Sequence, residues 1–199
     1  RTAELFVQAL QNTENNKTKF ITTRFGNVLG SNGSVIPHFK KQIEEGGPVT
    51  ITYPEIVRYF MTIPEACDLV LQAGTMGQGG EIFVFDMGEP VKILDLARRM
   101  IKLSGFEPNI DIKIIYTGLR PGEKLYEELL SDDAKTLPTP HSKILVSKDP
   151  TMEFSEIENH INQIIKLALR REKVEVVQLL KTIVPEFKSN NSIYEVLDK

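Results

Sequence analysis

The sequence predicts an α/β fold. Strand-like and helix-like stretches alternate from the first residues to about position 130, and such alternation favours a sheet covered by helices. The helical stretches carry apolar residues at spacings of three and four, and the stretches between them are rich in β-branched and aromatic side chains. One helix start is spelled out in full, the capping box Thr62-Ile-Pro-Glu65 with proline inside the first turn.

The elements follow in order. Residues 2–12 read as a helix with Leu5, Phe6, Ala9 and Leu10 on one face. Nothing before Arg1 caps it and no Met opens the chain, so a piece cut within a helix is expected. Residues 12–18 form a polar turn and 19–25 a strand. Ser34 is placed to cap a helix bearing Val35, Ile36, Phe39 and Ile43, which stops at Gly46-Gly47. A short strand covers 49–52. The capping box opens a helix through Ala73 with Ala66, Leu69, Val70 and Ala73 inward. A strand at 81–85, a helix at 93–104 and a strand at 111–116 complete the alternation.

Past Ser131 the texture changes. Pro138-Thr-Pro140 marks an extended connection and 143–147 a last strand. Ser155-Glu-Ile-Glu158 reads as the cap of a helix with Ile157, Ile161, Ile164, Ile165 and Ala168 on its apolar face. A second helix covers 173–184, with Val174, Val177, Leu180 and Val184. The pair predicts a helical hairpin packed on the α/β body. The tail from Lys188 is polar and predicted to fray, apart from a turn started by Ser192-x-x-Glu195. The divisions that follow are 1–150, a helical extension 151–187 and a tail 188–199.

Composition narrows the function. The chain has 199 residues with 41% hydrophobic and 26% charged, ordinary for a globular protein with a real core. Its net charge of −3, with both signs interspersed, gives no nucleic-acid surface. A single cysteine excludes an internal disulfide; Cys67 lies in an apolar helical run, which predicts a buried, inert thiol. No apolar run approaches the ~18–20 residues that span a bilayer, and no signal-peptide pattern opens the chain. There is no G-x-G-x-x-G after a strand, no P-loop and no metal-ligand spacing among His38, His141 and His160. No Tyr has a Lys four residues on: Tyr116 leads to Arg120, Tyr126 to Leu130 and Tyr194 to Asp198.

The chemistry that is present lies in three places. In the segment 116–130, a strand-like run stops at Gly118 and a Pro-Gly turn sets Arg120 and Glu123 three residues apart. Arg recognises phosphate with a fork of donors, and a carboxylate accepts both hydroxyls of a ribose. An ordinary charged turn is the competing reading. Upstream, residues 23–37 run from a strand into a loop punctuated by Gly26, Gly30 and Gly33 and then into the capped helix. Glycines allow close backbone approach to a ligand, Asn27, Ser31 and Ser34 offer uncharged donors, and a helix N-terminus favours an anion. Glycines needed only for turns would explain the same pattern. Arg58 is one guanidinium within the apolar run Ile56-Val-Arg-Tyr-Phe-Met61, a setting that calls for a paired anion, whether ligand or structural salt bridge.

Five separated motifs carry a resemblance: Phe-Gly-Asn-Val-Leu-Gly-Ser, Gly-Ser-Val-Ile-Pro, Arg-Tyr-Phe-Met-Thr-Ile-Pro-Glu-Ala, Asp-Met-Gly-Glu-Pro-Val-Lys-Ile and Leu-Arg-Pro-Gly-Glu-Lys-Leu. From Arg1 to about Pro150 the chain resembles the bacterial UDP-N-acetylglucosamine 4,6-dehydratases of polysaccharide biosynthesis, in the extended short-chain dehydrogenase superfamily. The resemblance implies the C-terminal portion of a Rossmann-like fold without its dinucleotide-binding half, followed by the helical hairpin. It implies that Asn27 contacts the diphosphate-sugar region and that Ser31, Asn32, Gly33, Ser34 and Val35 wrap the nucleotide. Thr50 and Thr52 would meet the uracil, Arg58 and Arg120 the diphosphate, and Glu123 the ribose. Charge-assisted bonds are worth roughly 1.5–3 kcal/mol each, so two arginines would supply much of a micromolar affinity of about 8 kcal/mol. Asn32 stands where many relatives carry Arg, which leaves a third phosphate contact open.

The same resemblance implies that the catalytic Lys, the Asp-Lys pair and the NAD or NADP loop precede Arg1. The whole enzyme would oxidise C4, eliminate water across C5 and C6, and return hydride to C6. This chain would then hold no cofactor, catalytic residue or metal of its own, and would be inactive alone. Its partner would be a UDP-sugar, with no nucleic acid and no membrane contact by this segment. The whole enzyme would be a homo-oligomer in the cytoplasm, including as the cytoplasmic domain of an inner-membrane protein. The wording at 87–93 and 124–130 is closer to the long, membrane-anchored retaining enzymes than to the short inverting ones. A 4-epimerase or reductase of the same superfamily, and a non-catalytic nucleotide-sugar binding module, are the alternative readings.

Overall fold

A computed structural model describes residues 1–127 and 136–198. The end of the 116–130 segment and the change of texture at Ser131 lie outside the described residues. The chain runs α1 Thr2–Gln11, β1 Thr22–Arg24, β2 Asn27–Val28, α2 Val35–Glu44, β3 Val49–Ile51, β4 Val57–Arg58, β5 Phe60–Met61, α3 Ile63–Met76, β6 Ile82–Phe85, β7 Val91–Lys92 and α4 Ile93–Leu103. It continues with β8 Ile114–Tyr116, β9 Thr136–Pro138, β10 Ile144–Ser147, α5 Phe154–Leu169, α6 Lys173–Ile183 and a 3₁₀ turn, Ile193–Leu197. The architecture is mixed α/β.

The main sheet has the order β1-β6-β10-β9. β1 and β6 are parallel, with Thr23 beside Phe83, whereas β10 is antiparallel to both β6 and β9. Every residue of β6 is buried, as a central strand covered on both faces requires. β1 is shorter than the 19–25 expected. The Phe20 N–H is taken by Gln11 Oε1 at 2.7 Å, so the approach to the strand is held by a side chain of α1. Residues 138–140 are likewise not all connection, since Thr136–Pro138 pairs with β10.

Three cores organise the packing. Phe39 and Ile43 of α2, Val49 and Ile51 of β3, and Ile93, Ala97 and Ile101 of α4 form the one beneath the candidate site. Burying side chains of this size stabilises by about 1.5–3 kcal/mol each. The second places Ala66, Leu69 and Ala73 of α3 on Phe83, Phe85 and Ile144 of the sheet. The third joins Leu5 and Ala9 of α1 to Ile157, Ile183 and Val184, which docks the α5–α6 hairpin on α1.

Half of the α3 capping box forms: Thr62 Oγ1 accepts the Glu65 N–H at 3.3 Å, whereas the Glu65 carboxylate takes Lys143 Nζ at 2.9 Å. Several face assignments are corrected. Val70 is 41% exposed, and Cys67 is exposed rather than buried. The buried stripe of α3 follows 66, 69 and 73, and the residue after each member turns about 100° toward solvent. Ile165, Ala168 and Val174 are exposed too. Ser155 lies inside α5, whose N-cap is Glu153 without a side-chain bond. The tail is not frayed: it closes into the 3₁₀ turn, with Ser192 Oγ accepting the Tyr194 N–H. No helix among the described residues is long and apolar enough to cross a membrane.

Candidate functional site

Strand pairing brings the distant motifs together. β3 runs parallel to β8 with Thr50 beside Ile115, and the Thr117 N–H continues the ladder to the Ile51 carbonyl. The chain leaving β8 therefore turns over the end of β3. β4 lies antiparallel to β7, and β2 parallel to β5 with Asn27 beside Phe60. A cavity of 670 Å³ opens between α2, β3, β4 and the 117–123 turn, a size that suits a small-molecule ligand. Asn27, Gly33, Ser34, Val35, Thr50, Thr52, Arg58, Arg120 and Glu123 all line it. Ser31 and Asn32 are outside the lining; Ser31 Oγ is turned back to the Val28 carbonyl at 2.8 Å.

The Arg120–Glu123 segment is a β-turn of type II. The Glu123 N–H bonds the Arg120 carbonyl at 2.9 Å, Pro121 occupies the second position, and Gly122 has φ +79°. That backbone angle is one a side chain disfavours, which is why glycine is required there. The Glu123 carboxylate locks the turn by accepting the Arg120 N–H at 3.0 Å and the Thr52 hydroxyl at 3.1 Å. Nothing among the described residues forms a hydrogen bond or ion pair with the Arg120 guanidinium, which is exposed at the cavity mouth.

Arg58 differs. Its guanidinium donates to the carbonyls of Val57 at 2.7 Å and Lys124 at 2.9 Å. Glu123 and Glu127 stand at 3.5 and 3.7 Å as a looser anionic surround. Glu127, which sequence reasoning did not single out, also accepts the Tyr59 N–H at 3.0 Å and faces the Asn27 amide at 3.4 Å. Arg58 thus ties β4 to the 123–127 strand of chain, with one edge on the cavity. The structural pairing is present, and the residue also lines the cavity.

The glycine loop is corrected in detail. A Cβ at Gly26 would meet the Tyr59 carbonyl at 3.0 Å and the Met87 methyl at 3.1 Å, so its smallness serves internal packing rather than a ligand. Ser34 stands at the N-cap of α2, but its Oγ is buried without a partner among the described residues instead of bonding the first turn. Thr50 is already engaged: Gln42 accepts its N–H at 3.1 Å and donates to its hydroxyl at 2.8 Å. His38, Lys41 and Thr117 also line the cavity. His38 falls three residues after Val35 on one helix face, a spacing that identifies it from sequence.

A second arginine cluster lies elsewhere. Arg24, at the end of β1, forks onto Glu4 of α1 through Nε at 2.5 Å and a short Nη2 contact, and pairs with Asp149 at 2.8 Å. Arg1 adds contacts of 3.4 Å to both acids. Burial pushes the Glu4 and Asp149 carboxyls up. For Glu4, the Arg24 bond and charge together with the N-terminal charge and the Arg1 bond outweigh burial; for Asp149, the Ser147 bond and the charges and bond of the two arginines do so, and both carboxyls end below their ordinary values. Burial lowers and the two carboxylates raise the Arg24 value, with a net rise.

Known proteins resemble this chain. The sequence profile of a family described as polysaccharide biosynthesis protein matches residues 1–149. The capsular polysaccharide biosynthesis protein CapD of Staphylococcus aureus is 66% identical over 131 residues, covering 66% of this chain and 22% of CapD. An inverting UDP-N-acetylglucosamine 4,6-dehydratase of Campylobacter jejuni is 37% identical over 78% of this chain and 44% of its own length. A UDP-glucose 4-epimerase of Rickettsia bellii is 39% identical over 59% of this chain and 33% of its own. The X-ray structure of Pen from Bacillus thuringiensis superposes with a TM-score of 0.64 at 34% identity, covering 76% of this chain and 47% of that one. The chain thus spans less than half the length of each of these proteins.

Proposed function

Since the chain belongs to the polysaccharide biosynthesis protein family, we propose that its cavity binds the UDP portion of a nucleotide sugar. In the longer proteins of this family it would present UDP-N-acetylglucosamine to a 4,6-dehydratase centre. The product would be a UDP-4-keto-6-deoxy sugar for capsule, O-antigen or other glycan synthesis. The observation that carries the reading is the Arg120 guanidinium, without a partner among the described residues and held over the cavity by a turn that its own neighbour Glu123 locks.

Each residue has a defined task in this reading. Arg120 takes the diphosphate with a free fork of donors, and Arg58 adds positive potential from the cavity wall. Glu123 spends one oxygen on Thr52 and one on the turn, and its remaining lone pairs accept a ribose hydroxyl. Thr52 closes the base end, and the apolar walls Ile51, Ile56 and Phe60 exclude water around it. Asn27 borders the diphosphate-sugar side, and Gly33, Ser34 and Val35 border the nucleotide. Binding of this kind orients a substrate and moves no proton or hydride.

The glycines at 26, 30 and 33 do not have the G-x-G-x-x-G spacing of a dinucleotide loop. No turnover is expected from this chain alone; 4,6-dehydratase activity in the purified chain would overturn that. The relation to an epimerase at 39% identity supports a second reading, in which the same UDP grip serves 4-epimerisation. Calorimetry with uridine, UMP and UDP tests the grip itself. Affinity should climb with each phosphate and reach the micromolar range with UDP, about 8 kcal/mol. Equal affinity for uridine and UDP would remove the phosphate reading.

A further inference from the structure

The polar tail after α6 lies beyond the residues that match the family profile, yet it reaches the ligand turn. The Asn190 carbonyl accepts the Gly122 N–H at 2.7 Å, and Asn191 Nδ2 donates to the Glu123 carbonyl at 3.2 Å. Neither group takes part in the turn's own hydrogen bond, Glu123 N–H to the Arg120 carbonyl. The Gly122 N–H belongs to the central peptide of the turn, and rotation of that peptide is what separates a type II turn from a type I turn. Whatever holds this N–H therefore sets the form of the turn.

The tail is itself anchored. Asp198 pairs with Lys181 of α6 and accepts the Ser189 N–H at 3.1 Å on each oxygen. Lys181 also caps the Phe187 carbonyl at 3.1 Å and lies 4.4 Å over the Phe187 ring. Asn191 has φ +57°, a left-handed conformation that Asn tolerates better than most residues, and the Glu195 carboxylate accepts its N–H. A segment of otherwise solvated composition is thus shaped to point two groups at one turn.

We propose that Asn190 and Asn191 are positioning residues for the nucleotide site: the tail holds the central peptide of the Arg120–Glu123 turn in its type II form. Arg120 and Glu123 thereby keep their separation and aim without any contact between the tail and the ligand. The inference rests on the UDP reading of the cavity for its consequence, and on the hydrogen bonds alone for its cause.

Two measurements on the 199-residue chain separate these layers. Asn191→Gly deletes the side-chain bond while keeping the left-handed backbone unstrained; Asp198→Ala releases the anchor on α6. The expected result is faster hydrogen exchange at the Gly122 amide in both variants. A Kd for UDP raised about threefold to tenfold should accompany it, the size of one lost hydrogen bond. For Asn191→Gly the melting temperature should stay at the wild-type value, which a merely structural role would not allow. Unchanged exchange at Gly122 in both variants would overturn the docking. Faster exchange with unchanged UDP affinity would overturn the positioning role. If the wild-type chain fails to bind UDP, the nucleotide reading falls, and the Gly122 exchange alone decides whether the tail sets the turn.

Discussion

Arg24, at the end of β1, and Arg120, in the turn after β8, are the same residue type and teach opposite lessons. Arg24 is enclosed, with two carboxylates within direct bonding distance and little exposure. Arg120 is fixed by its backbone but has no partner for its guanidinium among the described residues. A closed constellation spends its electrostatics on holding α1 to β1. An open one keeps it for something that arrives. Arg58 stands between the two, bonded to carbonyls and only loosely faced by Glu123 and Glu127. Counting arginines and acids does not distinguish these cases; the distances do.

The comparison is broken most strongly at the closed end. Arg24→Ala leaves Glu4 and Asp149 part-buried beside only the longer Arg1 contacts, and should destabilise the chain by about 3 kcal/mol, the low end for a buried pair given the residual exposure. Urea denaturation measures it; a loss below about 0.5 kcal/mol would mean that the cluster is ornamental. Arg58→Ala should cost less, about 1–2 kcal/mol, because carbonyl bonds are lost rather than a close ion pair. It should also weaken UDP binding. Stability loss without an affinity change would assign Arg58 to the scaffold alone.

Acid offers a subtler probe of the same cluster. Glu4 and Asp149 titrate below their ordinary values, so their stabilisation is complete above the ordinary carboxylate range, about pH 4 to 4.5. It declines as pH falls through the lowered folded values, where the unfolded chain already binds the protons. Melting curves from neutral to strongly acidic pH should therefore show a steeper decline below that range in the wild type than in Arg24→Ala. Parallel declines would contradict the assignment.

What the sequence made legible is local chemistry. The Thr62 half of the α3 cap forms because both partners lie within one turn, and the Pro-Gly turn between Arg120 and Glu123 is dictated by two residues with few options. The arginine, asparagine and threonine motifs meet in one cavity because the parallel pairing of β3 with β8 closes the gap between them. Helix faces were harder. Cys67 and Val70 lie one residue beyond buried neighbours, and only the packing of α3 on the sheet fixes that phase. Ser34 heads α2 with its hydroxyl unpartnered among the described residues, which no cap pattern reveals. Glu127 and the tail contact to Glu123, which spans 68 positions, depend on long-range docking that leaves no periodic trace.

The smallest expected effect on stability is at Arg120, and that same variant tests the central claim most directly. Wild type and Arg120→Ala are titrated with UDP by calorimetry at low salt, with urea curves recorded alongside. The expected result is an affinity at least tenfold weaker, about 1.4 kcal/mol, with unfolding free energies equal within about 0.5 kcal/mol. Equal affinities in a fully folded variant would contradict the account, and the open arginine would then be an exposed charge on a turn.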